Sequence, residues 1–442
     1  MRIRLSDHFT VKKLLKFTLP SIVMMIFTSI YGVVDGFFVS NFAGQVEFTA
    51  VNFIMPFLMM LGAVGFMFGT GGSALVAKTM GEGDREKANR IFSMLIYVSI
   101  GVGVAISAVG IVFLRPIAAW LGAEGALLEN CVTYGRIILL ANPAFILQME
   151  FQSFFITAEK PQLGLFVTVA AGVTNMVLDA VLVGLLPSGI VGAAAATALS
   201  QVVGGIVPVF YFARKNSSLL RLGRLHFDGR ALMKTCTNGS SELMSNISMS
   251  LVGMLYNVQL LKYAGENGVA AYGVMMYVNM IFIAVFIGYS IGTAPIIGYH
   301  YGAQNHTELR GLLRKSFAII SVCAVGMLGL SLLLALPLAE IFVGYDAVLL
   351  QMTVEGFRIF ALSFLFAGFA IFFSGFFTAL NDGLTSAIIS FLRTLVFQIA
   401  AVLLLPLFWE LDGIWISIVV AEVMAVLTGL FFLGLKQKKF HY

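Results

Sequence analysis

Charge is what this 442-residue sequence has least of: Asp, Glu, Lys and Arg make up 11% of it, against 59% hydrophobic residues. Soluble domains carry about a quarter charged residues, so this shortage excludes a water-soluble enzyme. Cysteine is scarce as well. Cys131, Cys236 and Cys323 suit no metal site or disulfide framework by spacing and read as small core residues. The sequence has no Gly-x4-Gly-Lys-Ser/Thr run, no His-x-x-x-His pair and no Ser/His/Asp pattern, so it does not read as an ATPase or an embedded enzyme. No cleavable signal peptide is apparent. The basic start runs into an apolar segment too long for a signal h-region, which should be retained as a signal anchor.

Apolar chain is what remains, with a mean hydropathy of +0.96. A bilayer span needs about 20 mostly apolar residues. Spans are expected near 14–40, 49–77, 91–114, 131–157, 163–185 and 189–213, then near 235–261, 269–297, 316–338, 352–380, 384–405 and 413–435. All are too long for barrel strands of about 9 to 11 residues. The expected fold is therefore an all-α polytopic membrane protein with twelve transmembrane helices. Of the 27 Lys and Arg residues, 22, including Arg2, fall in the termini and in loops on the same side as the termini, whereas Arg115 and Lys262 lie in opposite loops. Basic loops favour the cytoplasm. This places both termini inside a bacterial plasma membrane and reads the net charge of +5 as an orientation signal, not a nucleic-acid surface.

The sequence also matches itself at an offset of 221. Ala43-Gly44 falls on Ala264-Gly265, Ala50 on Ala271, Gly71 on Gly292, Gly81 on Gly302, and Thr157-Ala158 on Thr378-Ala379. Two parallel-repeat six-helix bundles are expected: an N-lobe over 1–220, a polar linker over 221–234 and a C-lobe over 235–442. Transporters built from such repeats place their substrate site between them near the midplane and expose it alternately.

Six carboxylates stand inside the expected spans: Asp35, Glu150, Asp179, Glu242, Glu355 and Glu422. Each costs roughly 2.5 to 3.5 kcal/mol at a helix centre and so invites a functional reading. Asp35 shares a helical face with Tyr31 and Thr28, Asp179 with Asn175, and Thr197 with Gln201. Converging, these faces offer two acids, an amide and hydroxyls. Such a set suits Na⁺, which takes hard oxygen ligands, or H⁺, which takes an acid beside a like-charged neighbour.

The second half does not copy this set. Tyr256 stands opposite Asp35, and the segment opposite Asp179 carries Arg393 and Gln398 but no acid. Its own acid, Glu242, with Asn246 one turn later, is a candidate second proton or substrate-cation site. Glu355 with Arg358, and Arg136, read as ion pairing or snorkelling near span ends; Glu150 and Glu422 stay ambiguous. Met55, Met59 and Met276, with Gln201 and Tyr256, are candidate linings of a broad apolar cavity, since Met is adaptable.

These features resemble the multidrug and toxic compound extrusion (MATE) family. Leu19-Pro20-Ser21 is similar to its bending proline, Asp35 to its first-helix acid, Asn175-x-x-Leu-Asp179 to its fifth-helix motif and Gly192-Ala-Ala-x-Ala-Thr197 to its sixth-helix motif. Met80-Gly81 and Tyr301-Gly302 are similar to its paired loops. The resemblance implies a V-shaped pair of bundles and export of organic cations by a monomer in exchange for H⁺ or Na⁺, with no other cofactor. Asp35, Asn175, Asp179 and Thr197, with Tyr31 nearby, would form the coupling site, and Na⁺, if used, would sit on Asp35 and Asp179. Pro20 would act as the hinge. A lipid or lipid-linked oligosaccharide flippase is the alternative, though one would expect more cationic residues facing its cavity.

Overall fold

The computed structural model describes residues 3–442; the orientation charge Arg2 lies outside the described residues. Every element is helical. The first half runs α1 (Val11–Phe38), α2 (Gln45–Gly81), α3 (Arg85–Trp120), α4 (Gly125–Thr157), α5 (Pro161–Leu178) and α6 (Gly189–Ala213). After a non-helical stretch come α7 (Gly229–Gly302), α8 (His306–Val343), α9 (Ala347–Ala361), α10 (Phe364–Ala379), α11 (Gly383–Phe391), α12 (Phe397–Leu404) and α13 (Pro406–Phe440).

Ten runs, counting α11 and α12 with the π turn between them (Leu392–Val396) as one, are long and apolar enough to cross a membrane, and two local features bring the number to the twelve expected. At 1.5 Å per residue, the 74 residues of α7 would far exceed a bilayer of about 30 Å. The chain reverses at Gly265, whose φ of 66° and ψ of −154° belong to glycine alone, making two arms. Conversely α9 and α10, bent by 47° at a short break, form one crossing, the single span expected near 352–380.

Asx caps start many helices. Asp84 accepts from the Lys87 amide at 2.9 Å and Asn305 from the Glu308 amide at 3.1 Å. These caps stand 221 residues apart, one in each half, and each satisfies an orphan N–H of a helix start. Just before them the halves cross reciprocally. A β-carbon at Gly81 would lie 2.0 Å from the Tyr299 carbonyl oxygen, and one at Gly302 2.0 Å from that of Lys78. Only glycine allows such an approach, and its symmetry is the structural counterpart of the sequence repeat.

Both ends of the chain lie on this face, where Phe9 meets His300 and Phe440 meets Tyr301. Here a single apolar core serves both halves, with Phe17, Phe92 and Phe154 packed together with Phe286, Ile296 and Phe376. Toward the opposite face the core divides. One branch holds Ile54, Leu58 and Tyr134 of the first half, and the other Tyr256, Met275 and Trp415 of the second. A joined base with two separate branches is a V that opens away from the termini. The connector differs in extent from the expected 221–234: residues 214–228 are non-helical and α7 begins at Gly229. It is tied along α3, with the Arg221 amide donating to Asn89 and the Gly223 amide to Ser93, both at 2.8 Å.

Candidate functional site

Asp35 lies one turn before α1 passes into a π turn (Val39–Ala43), and Asp179 opens the π turn (Asp179–Leu185) that follows α5. π turns interrupt regular helix pairing and recur at functional sites; these two pack against each other and against α6. The result brings together the residues expected from the sequence. The Asp35 carboxyl group is within hydrogen-bonding reach of Asp179, Asn175 and Thr197, and Asn175 Nδ2 approaches Thr197 Oγ1 at 3.5 Å. Tyr31, on α1, reaches Gln148 of α4.

Burial is uneven across the pair. Asp179 is 0% exposed, whereas Asp35 is half-buried. Both Asp179 oxygens, Asp35 Oδ1 and Asn175 Oδ1 are buried without a hydrogen-bond partner. Buried polar atoms are normally satisfied, and two carboxylates have no donor to offer each other. The four orphaned acceptors, with the Thr197 hydroxyl, form an all-oxygen set that can take up either a proton or a hard cation.

Met55, Met59 and Gln201 line one small cavity with Leu58, Ile138, Leu139, Asn142 and Phe145, to which neither acid contributes. Tyr256 and Met276 do not join them. Tyr256 is 2% exposed in the second-half core, donates to Gln398 at 2.7 Å and stacks on Tyr272, while Met276 packs at that core's margin. Pro20 is buried within a continuous α1, and the next residue, Ser21, donates to the Gly288 carbonyl across the halves at 2.9 Å.

The second-half acids are arranged differently. Arg393, in a π turn (Leu392–Val396), holds Glu422 of α13 through two 2.9 Å bonds, with Glu422 only 5% exposed. Glu242 faces the same guanidinium. Asn246, expected beside it as a partner, turns its amide back to the Glu242 backbone carbonyl. Glu355, expected with Arg358, accepts from Gln351 Nε2 at 2.9 Å instead, because position i−4 lies on its helical face. Glu150 is 0% exposed, and both its carboxyl oxygens are buried without a hydrogen-bond partner.

Sequence reading missed Tyr134 and Gln148, which reach Thr197 and Tyr31 from α4. Their contacts run between helices far apart in sequence; the available signal was a run of amides, Asn142, Gln148 and Gln152, inside one apolar span.

The family model described as MatE matches residues 20–181 and 243–404, one copy in each half. The chain belongs to the MATE family. It is a membrane transporter, not an enzyme. Like this chain, the multidrug export proteins MepA of Staphylococcus haemolyticus and of Staphylococcus aureus (strain NCTC 8325 / PS 47) are related over nearly their whole length. They are 25% and 24% identical to it over 421 residues, covering 95% of this chain and 92% of each relative. Among solved MATE folds, a MATE protein in complex with MaL6 superposes with a TM-score of 0.93 at 23% identity, covering 98% of both chains. A MOP superfamily transporter from Pyrococcus furiosus, whose binding pocket is described as of reverse polarity, gives 0.91 at 23% over 98% of both chains.

Proposed function

We propose that this MATE transporter exports amphipathic organic cations across a bacterial plasma membrane, as a monomer with cytoplasmic termini, in exchange for H⁺ or Na⁺ bound at Asp35 and Asp179. The observation that carries this reading is two facing carboxyl groups with no fixed cation between them. Two like charges about 4 Å apart repel by about 4 kcal/mol at an effective dielectric of 20, so the pair calls for a proton or a cation. Asn175 and Thr197 add oxygens to either. The multidrug export attributed by name to the MepA relatives supports the substrate class.

The moving units are the two halves on either side of the 214–228 connector, with α1 repacking about Pro20 when the cation binds. The coupling ion must bind one arrangement better than the other to drive transport, and a pair shared between α1 and α5 changes its spacing whenever α1 moves. Asp35, the more exposed of the two, receives the ion, and Asp179 retains it. One charge crossing 100 mV supplies about 2.3 kcal/mol. The cavity of Met55, Met59, Asn142 and Gln201 holds only about 10 Å³ in this arrangement, so it must widen before it takes part of a substrate. A flippase is disfavoured because Arg393, which could hold a pyrophosphate, is already spent on Glu422.

Purified protein in vesicles, with pH and Na⁺ gradients imposed separately, tests this through ethidium movement. Uphill export on at least one gradient is expected, and purely downhill movement on both would refute it.

A further inference from the structure

The segment ahead of α1 crosses the seam between the halves on the terminal face. The Leu5 amide donates to Glu159 Oε1 at 2.7 Å, in the turn between α4 and α5. A few residues later the chain is gripped by the other half. His8 Nδ1 lies 2.6 Å from Glu308 Oε2 and the Phe9 amide donates to Glu308 Oε1 at 2.9 Å. Lys315, also on α8, donates to the Phe9 carbonyl. Leu5 and Phe9 are 0% exposed, and the Phe9 ring sits edge-on to Phe17 of α1 and His300 of α7.

The segment is shaped for this course. Asp7 accepts from the Arg4 amide at 3.0 Å and pairs with Lys13 at 2.7 Å. Burial pushes its carboxyl up, but the Arg4 amide and the Lys13 ammonium outweigh that and hold it below the usual aspartate range. Glu308 is prepared as well. It stands in the first turn of α8, where the helix dipole favours an anion, and Asn305 caps its own amide.

We infer that residues 3–10 are a strap that fastens the two halves on the terminal face, with Glu308 as its catch. Opening this face draws α8 away from α1, which breaks both Glu308 bonds and pulls Phe9 from its pocket. The strap thereby weights the equilibrium toward the arrangement that opens away from the termini, and its release is a required step of each cycle. This rests on the alternating-access reading above.

Its test uses the full chain in lipid nanodiscs, with Cys131, Cys236 and Cys323 changed to Ala and spin labels on Lys87→Cys and Thr307→Cys, one exposed site in each half. The pair distance reports terminal-face opening. Glu308→Gln, which keeps the shape but loses the charge that strengthens both bonds, is expected to raise the long-distance population at least about threefold. His8→Ala, which loses one bond, should raise it less. An unchanged distribution in both variants would overturn the strap. His8 has a side chain 73% exposed, so its variant decides the matter if Glu308→Gln fails to fold. The measurement needs neither substrate nor gradient, so an ethidium assay that refuted the transport reading would leave the strap result standing on its own.

Discussion

The two halves share one plan but balance their buried acids in opposite ways. In the first, Asp35 and Asp179 face each other and the nearest groups are an amide and a hydroxyl. In the second, the corresponding helix carries Arg393, which grips Glu422 bidentately and faces Glu242. A π turn holds the critical residue in both, but at the 221-residue offset Arg393 falls on Gly172, so the two charges stand at different points along corresponding helices. The first half needs a cation from solution, and the second carries its own on a tether. Only a cation that can leave can couple to a gradient, so we propose that ion exchange belongs to the first half and a constant charge balance to the second.

The largest effect that could break this contrast is on stability. Arg393→Met strands a buried Glu422 and should cost about 3 to 5 kcal/mol, as breaking buried pairs does, read as a fall in the melting temperature of the detergent-purified protein. Arg393→Met with Glu422→Met should recover most of that loss and keep gradient-driven ethidium export. If the double variant folds but loses coupling, the second half exchanges an ion after all.

A second substitution makes the first half resemble the other. Thr197→Lys brings an ammonium to the acid pair, and gradient-driven export should fall by at least about tenfold, because a fixed cation binds both arrangements alike. Glu150 sharpens the comparison from inside the first half. It is fully buried but has no acid facing it, so Glu150→Gln should leave export within about twofold of wild type. Loss of coupling there would mean that a single acid suffices and that pairing is not the criterion. The smallest effect is expected at the exposed Arg115–Glu129 pair, bonded at 2.6 and 3.0 Å. Exposed pairs are worth little, so Glu129→Gln should leave the melting temperature unchanged.

The twelve crossings and the repeat were legible because apolar length and self-similarity are properties of the chain itself. The cluster of Asp35, Asn175, Asp179 and Thr197 was legible too, since polar groups are expensive in such spans and lie one helical turn from a companion. Contacts between helices distant in sequence were not. Arg393 and Glu422 are 29 residues apart and nothing local links them, whereas the local pairing assumed for Glu355 and Arg358 went instead to Gln351. The strap was hidden for the same reason: His8 and Glu308 are 300 residues apart and look like ordinary loop charges until the fold brings them together.

The central claim is that the exchangeable cation belongs to the first half alone. Its most direct test is ethidium export in vesicles under separately imposed pH and Na⁺ gradients, comparing wild type, Asp179→Asn, and Arg393→Met with Glu422→Met. The account predicts that wild type and the double variant are driven by the same gradient and Asp179→Asn by neither. Full gradient-driven export by Asp179→Asn, or a change of driving ion in the double variant, would contradict it.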